Sequence, residues 1–184
     1  MIVLLGGFVG SSRRALAPLV ARELGFHYYD LSDKKMRRHR FTRDGALHRD
    51  AIPPRTDEAR RALYEKATRD FPLLAKMYPD TLIDDIFHRK ESREYLFKEA
   101  GKYFGKSCFV WIESSEEVVE ERIQHMEAKG RVRSANVALQ RREKMKKNFE
   151  PFVPPPLTFT CTSFTDLTSD ARALAALIRV QLKL

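Results

Sequence analysis

The fold of this chain is decided by the stretch Gly7-Phe8-Val9-Gly10-Ser11-Ser12-Arg13-Arg14. The stretch follows the apolar run Ile2–Leu5 and opens onto the helix-like segment Ala15–Leu24. A glycine-containing turn between a buried strand and a helix presents successive backbone N–H groups at the positive end of that helix. Such a turn is suited to holding an anion.

The loop matches part of the pattern G-x-x-x-x-G-K-[ST], which marks a phosphate-binding P-loop. Gly7 and Gly10 stand where the backbone needs freedom, but Ser12, Arg13 and Arg14 replace the Gly, Lys and Ser or Thr of the pattern. Arg13 keeps the lysine's charge on a larger, planar group. Arg14 replaces the hydroxyl that ligates Mg²⁺, and a guanidinium cannot ligate a metal. The alternative is a Gly- and Ser-rich turn without a ligand.

Composition and charge exclude several classes of protein. The 184 residues are 43% hydrophobic and 32% charged, which indicates a globular chain. No apolar run approaches the roughly 18–20 residues of a membrane span, so we expect a cytoplasmic protein with no membrane partner. The net charge of +9 favours polyanions such as nucleotide phosphates, RNA or DNA. Basic clusters at 34–40 and 129–147 are equally consistent with solvated surfaces.

Apolar runs alternate with helix-like segments along the whole chain, and this alternation predicts an α/β fold with a doubly wound parallel five-stranded sheet and helices on both faces. The predicted strands are Ile2–Leu5, Phe26–Tyr29, Thr81–Ile83, Ser107–Ile112 and Leu157–Thr162. The predicted helices are Ala15–Leu24, 56–78 with a kink or break at Pro72, Lys90–Phe104, Ser115–Ala128, Ser134–Asn148 and Ser169–Leu182. We expect one domain over 1–184, with a basic substrate-facing segment at 31–55. The charged helix Ser134–Asn148 should pack little.

Two aspartates follow predicted strands. Asp33 comes four residues after the second strand, where it can accept a proton from an attacking hydroxyl or cap the following turn. Asp84 ends the apolar run Thr81–Ile83 and should face the ligand crevice, either as a metal-site carboxylate or as the first residue of a loop. Asp85 should point the opposite way.

Three arginines surround a turn after the fourth strand. Arg122, Arg131 and Arg133 flank Lys129-Gly130, which lies between two predicted helices. Arginines on a lid can neutralise the charge of a transferring phosphoryl group. The alternative is a solvated turn between two helices. We therefore expect a lid-like region near 129–148.

Together these features resemble the P-loop kinase-like ATPase family that includes the polynucleotide kinase domain. The matching segments are Ile2–Gly10, Leu31-Ser32-Asp33, Thr81–Asp84 with Phe87, Val118–Arg122, and Ser134-Ala135 through Phe149-Glu150-Pro151. The resemblance implies a P-loop NTPase-type fold and a nucleotide cofactor, ATP or another.

The resemblance also implies a role for each matching residue. Residues 7–14 would hold phosphate, Asp33 would be the base, Asp84 would help place metal or water, and Arg122 with Arg131 would be lid cations. The chain departs from the family at Ser12-Arg13-Arg14, which puts Mg²⁺ in doubt. It also has Met36 where an arginine is usual, one residue before Arg37, and Met126 where a second lid arginine often lies.

Three functions are compatible with this sequence. The first is a nucleotide- or phosphate-binding protein whose ATP-dependent phosphotransfer to a hydroxyl acceptor is impaired. The second is an active kinase of a small molecule or a polynucleotide 5′-hydroxyl, with Arg13 in place of lysine. The third is a nucleic-acid-binding module that uses the two basic clusters.

Overall fold

The computed structural model describes residues 1–31, 57–152, 155–162 and 166–184. Five parallel strands form one sheet in the order β2-β3-β1-β4-β5. The strands are β1 (Ile2–Gly6), β2 (His27–Asp30), β3 (Thr81–Asp84), β4 (Ser107–Glu113) and β5 (Leu157–Thr160). The predicted five-stranded parallel sheet is confirmed.

Helices cover both faces of the sheet. Within the described ranges they are α1 (Arg13–Leu24), α2 (Asp57–Thr68), α3 (Phe71–Met77), α4 (Lys90–Ala100), α5 (Glu116–Ala128), α6 (Ala135–Lys147) and α7 (Leu167–Leu182). The break predicted at Pro72 is confirmed, since this residue lies in the first turn of α3. None of these described helices combines the length and apolar character that crossing a membrane requires.

The central strand β1 is buried along its whole length, because it pairs with β3 on one side and β4 on the other. Successive side chains of β1 point to opposite faces of the sheet and pack into two separate hydrophobic cores. Ile2 and Leu4 pack with residues of α2, α3 and α4, whereas Val3 and Leu5 pack with residues of α1 and α7. An unbroken apolar strand is the sequence pattern of a sheet buried on both faces.

The helices that follow β1 and β3 lie on opposite faces of the sheet. Leu16 of α1 belongs to one core and Leu96 of α4 to the other. Ligands in open α/β sheets bind where adjacent strands send their connections to opposite faces. That position is the carboxyl end of β1 and β3, where the loop of residues 7–14 and Asp84 meet.

One expectation about packing is wrong. Helix α6 was predicted to pack little, but Ala135, Ala138 and Arg142 are buried on it. The two alanines belong to a small core with Val119 and Ile123 of α5. A helix with few apolar residues can still pack when the buried ones share a face and a long basic side chain finds partners.

Candidate phosphate-binding site

The loop backbone requires small residues where neighbouring elements approach it. Gly10 has a φ of 86°, and a Cβ there would lie 2.7 Å from Cγ1 of Val119 on α5. A Cβ on Gly7 would lie 2.5 Å from the Ser11 hydroxyl oxygen and 2.9 Å from the carbonyl oxygen of Ile112. Both glycines therefore allow α5 and β4 to close against the loop.

Ser12 adopts a conformation that favours glycine. Its φ of 65° is in the left-handed region, and it is the N-cap residue of α1. A side chain in this region costs roughly 1–2 kcal/mol. The backbone of position 12 thus keeps the geometry for which the P-loop pattern has glycine, although the residue is serine. Its hydroxyl accepts a hydrogen bond from the Arg122 guanidinium.

Arg13 turns back toward the sheet. Its Nε lies 3.1 Å from Oδ2 of Asp84, and its Nη1 donates to the Gly7 carbonyl oxygen over 3.5 Å. The side chains of Arg13 and Asp84 are 13% and 1% exposed, so the ion pair is shielded from water. The cation at the lysine position of the motif is therefore engaged by a carboxylate of the protein itself.

Arg14 makes a second ion pair beside the first. Its Nη2 donates to Oδ2 of Asp30 over 2.9 Å. Asp30 is the last residue of β2 and is paired in register with Asp84 at the end of β3. The Arg14 side chain is 34% exposed, so it contacts a buried carboxylate and also remains in part accessible to solvent.

Asp84 and Asp85 point to opposite sides of the sheet, as predicted. Asp84 accepts a hydrogen bond from the Tyr28 hydroxyl over 2.6 Å. Burial raises the pKa of Asp84 to about 6, although the charge of Arg13 opposes the rise. Asp85 accepts from Arg60 and from Tyr64, each over 2.5 Å. Burial alone would raise the pKa of Asp85, but the charge of Arg60 lowers it to about 2.

The predicted metal role of Asp84 stays a prediction, and the contacts argue against it. One carboxylate oxygen of Asp84 faces Tyr28 and the other faces Arg13. Position 14 holds a guanidinium, which has no lone pair for a cation. Among the residues that the structure describes, no three or more His, Cys, Asp or Glu side chains are grouped to hold a metal. These donors do not fit Mg²⁺, which requires several oxygen ligands.

The arginines predicted for the lid lie at the other side of the loop. Arg122 is half-buried on α5 and reaches Ser12, whereas Arg131 is exposed just beyond Gly130. Burial lowers the pKa of Arg122, and the charge of nearby Arg131 lowers it further. Of the predicted lid cations, Arg122 is therefore the one that contacts the loop in the described residues. Arg133 is exposed.

Asp33, the predicted base, lies outside the described residues, as do Met36, Arg37 and the basic cluster at 34–40.

Arg142 contacts the loop, and the sequence analysis missed it. This residue of α6 is 4% exposed and donates through Nη1 to the Val9 carbonyl oxygen over 2.9 Å. Its Nη2 donates to Oε1 of Glu116 over 3.2 Å, and its guanidinium lies 5.8 Å from the centre of the Phe8 ring. Nothing local in the sequence marks it, because Val9 is 133 residues away.

A cluster of aromatic side chains packs against the loop through Phe8. The Phe8 ring packs edge-on against Trp111 at 5.0 Å and against Phe149 at 5.3 Å between ring centres. Phe149 and Phe152 also contact Trp111, which is buried. The segment 149–152, which resembled the family by its F-E-P letters, is therefore part of the loop's packing.

Comparison with protein-family models and with curated proteins gives no match. Solved structures with the same fold include a gluconokinase from Sinorhizobium meliloti, with 16% identity, a TM-score of 0.60 and coverage of 98% of this chain and 94% of that one. A shikimate kinase from Aquifex aeolicus has 14% identity, a TM-score of 0.57 and coverage of 99% and 98%. The Mycobacterium tuberculosis APS kinase in complex with AMPPNP and APS has 17% identity, a TM-score of 0.61 and coverage of 97% and 96%.

The sheet, the loop and these likenesses define a class: the chain has a P-loop kinase fold. At identities of 14–17% the likenesses establish the fold alone. They do not select the polynucleotide kinase type.

Proposed function

We propose that the protein binds a nucleotide or another phosphorylated ligand at residues 7–14, and that ATP-dependent phosphotransfer to a hydroxyl acceptor is impaired or lost. Binding is supported by the loop backbone at the start of α1 and by the Arg122 guanidinium, which contacts Ser12 of the loop. Backbone N–H groups at a helix N-terminus favour an anion.

The observation that carries the impairment is the ion pair between Arg13 and Asp84. In P-loop enzymes of this fold, the cation at this position contacts the phosphates and the carboxylate after β3 serves the metal. Here the two groups neutralise each other in a buried setting. Breaking a buried pair leaves an uncompensated charge, which typically costs about 3–5 kcal/mol. The Arg13 charge is therefore already compensated by Asp84 before any ligand phosphate binds.

The test combines calorimetric titration with ATP and a phosphotransfer assay, on the parent and on an Arg13→Lys, Arg14→Thr variant. We expect the parent to bind ATP with little or no turnover, and the variant to gain affinity that depends on Mg²⁺. Lysine and threonine at these positions supply the missing phosphate cation and metal ligand. An ordinary rate of Mg-ATP turnover by the parent would contradict the impairment, and no ATP binding in any buffer would contradict the site.

An active kinase is the second candidate, and one observation favours it. Arg122 of α5 contacts Ser12 of the loop, and the charge of Arg131 contributes to lowering the pKa of Arg122. Such a pair can stabilise the charge of a transferring phosphoryl group even where the loop cation is engaged elsewhere. This candidate would be established by two results together. The parent must phosphorylate a hydroxyl acceptor, and a folded Arg122→Gln variant must lose that activity.

A nucleic-acid-binding module is the third candidate. The described part of the second basic cluster leaves Arg131, Arg133, Lys144 and Lys147 exposed. This function requires binding of an oligonucleotide that weakens steeply with salt and does not respond to ATP. Lys144→Glu with Lys147→Glu should then weaken it, whereas a loop variant should not.

A further inference from the structure

The ends of β2 and β3 bring two buried carboxylates together. Asp30 and Asp84 are 6% and 2% exposed, and they stand opposite each other in the strand register. Carboxylates that share a buried position repel each other unless cations accompany them. The nature of those cations decides what else the site can bind.

Two arginines supply the balancing charge. Arg14 contacts Asp30 at 2.9 Å and Arg13 contacts Asp84 at 3.1 Å. Within the part of the chain that the structure describes, the two negative charges therefore meet two positive charges. A lysine followed by serine or threonine at these positions would leave one negative charge unbalanced, which a divalent cation can compensate.

A divalent cation would be unfavourable in this arrangement. Arginine stays charged at all ordinary pH values, so it cannot lose a proton to relieve its repulsion with a bound metal ion. A metal would add two positive charges to a neutral, largely buried group. It would also have to share the Asp84 oxygens with Arg13 and Tyr28, each of which already contacts one of them.

We propose that Arg14 is a resident cation in place of the divalent metal, so that the loop takes a pyrophosphate-bearing anion free of Mg²⁺. This inference rests on the proposed function. The partly exposed guanidinium has five N–H donors, and Asp30 takes one through Nη2, so the others can reach phosphate oxygens. The pyrophosphate group is the chemistry recognised, whether it belongs to a nucleotide or is inorganic.

The experiment is calorimetric titration with ADP and with inorganic pyrophosphate, each in chelator and in excess Mg²⁺. We expect the parent to bind more weakly in Mg²⁺, because its apparent affinity falls with the metal-free fraction of the ligand. The fall is roughly tenfold when one-tenth of the ligand is metal-free. A preference for ADP would assign the site to nucleotides, and equal affinities would assign it to the pyrophosphate group alone; both outcomes support the inference if Mg²⁺ weakens binding.

Three variants locate the effect. Arg14→Thr should reverse the Mg²⁺ response, so that the metal strengthens binding, whereas Arg14→Lys should keep the parent's direction. Arg22→Thr is the matched control, because it removes the same charge from an exposed position of the same helix and should change no sign. If Arg14→Thr fails to fold, the parent and Arg14→Lys still give the direction of the response.

The outcomes distinguish a failure of the resident-cation inference from a failure of the phosphate site. Binding by the parent that strengthens with Mg²⁺ would overturn the resident cation but leave the phosphate site intact. An Arg14→Thr variant that folds and still binds more weakly in Mg²⁺ would do the same. No binding of either ligand under any condition would overturn the proposed function and this inference with it.

Discussion

Two consecutive aspartates show how burial and partners set opposite pKa shifts. Burial raises the pKa of Asp84 to about 6 against the opposing charge of Arg13, whereas the charge of Arg60 overcomes burial and lowers that of Asp85 to about 2. Both residues are almost fully buried. The difference arises because Asp85 receives hydrogen bonds from both Arg60 and Tyr64, while Asp84 also faces the charge of Asp30.

Loss of the Asp85 charge should strongly destabilise the protein. In Asp85→Asn the buried Arg60 guanidinium loses its partner, and an uncompensated buried charge typically costs about 3–5 kcal/mol. Urea unfolding measures the change. Glu94→Gln is the control, because it breaks an exposed ion pair with Lys90 and should cost under about 1 kcal/mol. Equal effects of the two variants would show that Arg60 has another adequate partner.

The pKa of Asp84 predicts an unusual dependence of stability on pH. Between about pH 4 and pH 6 the folded protein holds a proton on Asp84 that the unfolded chain has lost. Stability should therefore rise as the pH falls through this window. Asp85 acts in the reverse sense, since its contribution is present above about pH 4 and is lost as the pH falls toward about 2.

Unfolding free energies of the parent and of Asp84→Asn at several pH values separate the two effects. We expect the difference between the proteins to change between about pH 4 and pH 6, because only the parent titrates there through residue 84. Both should lose stability together below about pH 4, through Asp85. A difference that stays constant across the upper window would mean that Asp84 is ionised throughout it.

At the scale of elements, the loop and α5 depend on the absence of a side chain at Gly10. We expect Gly10→Ala to cost more than Gly25→Ala in urea unfolding. Both positions have positive φ, 86° and 74°, so a Cβ at either position costs roughly 1–2 kcal/mol in backbone strain. A Cβ at Gly10 also meets Val119 at 2.7 Å, whereas one at Gly25 meets nothing within 4 Å.

The excess at Gly10 should be about 1–3 kcal/mol, as for overpacking in a well-packed core. It measures how firmly α5 closes on the loop. Should the two alanine variants prove equally stable, α5 must be able to move away from the loop at little cost.

Elements follow from local patterns, and for that reason the sequence predicted them closely. The first helix was predicted to end at Leu24, and it does so because Gly25 caps it in the left-handed conformation. Ser115 and Ser134 accept hydrogen bonds from the backbone three residues later, at the predicted starts of α5 and α6. Pro72 divides the long predicted helix. Helix caps and helix-breaking residues act within a few residues of their own position, so the helix ends that they set can be predicted from the sequence alone.

Side-chain partners across the fold could not be predicted in this way. The sequence predicted that Asp84 faces the loop and that Asp85 faces away, because strand residues alternate. It did not indicate that Arg13 folds onto Asp84 or that Arg14 reaches Asp30, since these pairs join α1 to the ends of two different strands. The motif alone suggested that both arginines point at a ligand.

At the scale of the whole molecule, the loop is held by contacts from distant parts of the chain. Arg122 of α5 reaches Ser12, Arg142 of α6 reaches Val9, and Phe149 packs on Phe8.

The segment that carries Phe149 is itself held in place by Arg93, which donates to the carbonyl oxygens of Glu150 and Pro151. A region near 129–148 that resembled a lid is therefore docked on the loop through buried groups.

This docking predicts that Arg142 stabilises the fold and positions the loop. Arg142→Ala removes the donor to the Val9 carbonyl oxygen, and a hydrogen bond from a charged group contributes about 1.5–3 kcal/mol. It also removes one partner of the exposed Glu116, which should contribute under about 1 kcal/mol. We expect a loss of about 2–3 kcal/mol in urea unfolding and weaker binding of ADP by the folded variant. Lys146→Ala is the matched control, because Lys146 lies one turn later and contacts the same Glu116 oxygen over 2.6 Å from a more exposed position.

The control should lose under about 1 kcal/mol and leave the affinity for ADP unchanged, since a partly exposed ion pair contributes little and Lys146 contacts Glu116 and Glu143 rather than the loop. Stability and affinity together separate two roles of Arg142. A stability loss with unchanged affinity would make it a structural residue of α6 only. A loss of affinity in folded Arg142→Ala, absent from Lys146→Ala, would show that the position of Val9 depends on a helix more than a hundred residues further along the chain.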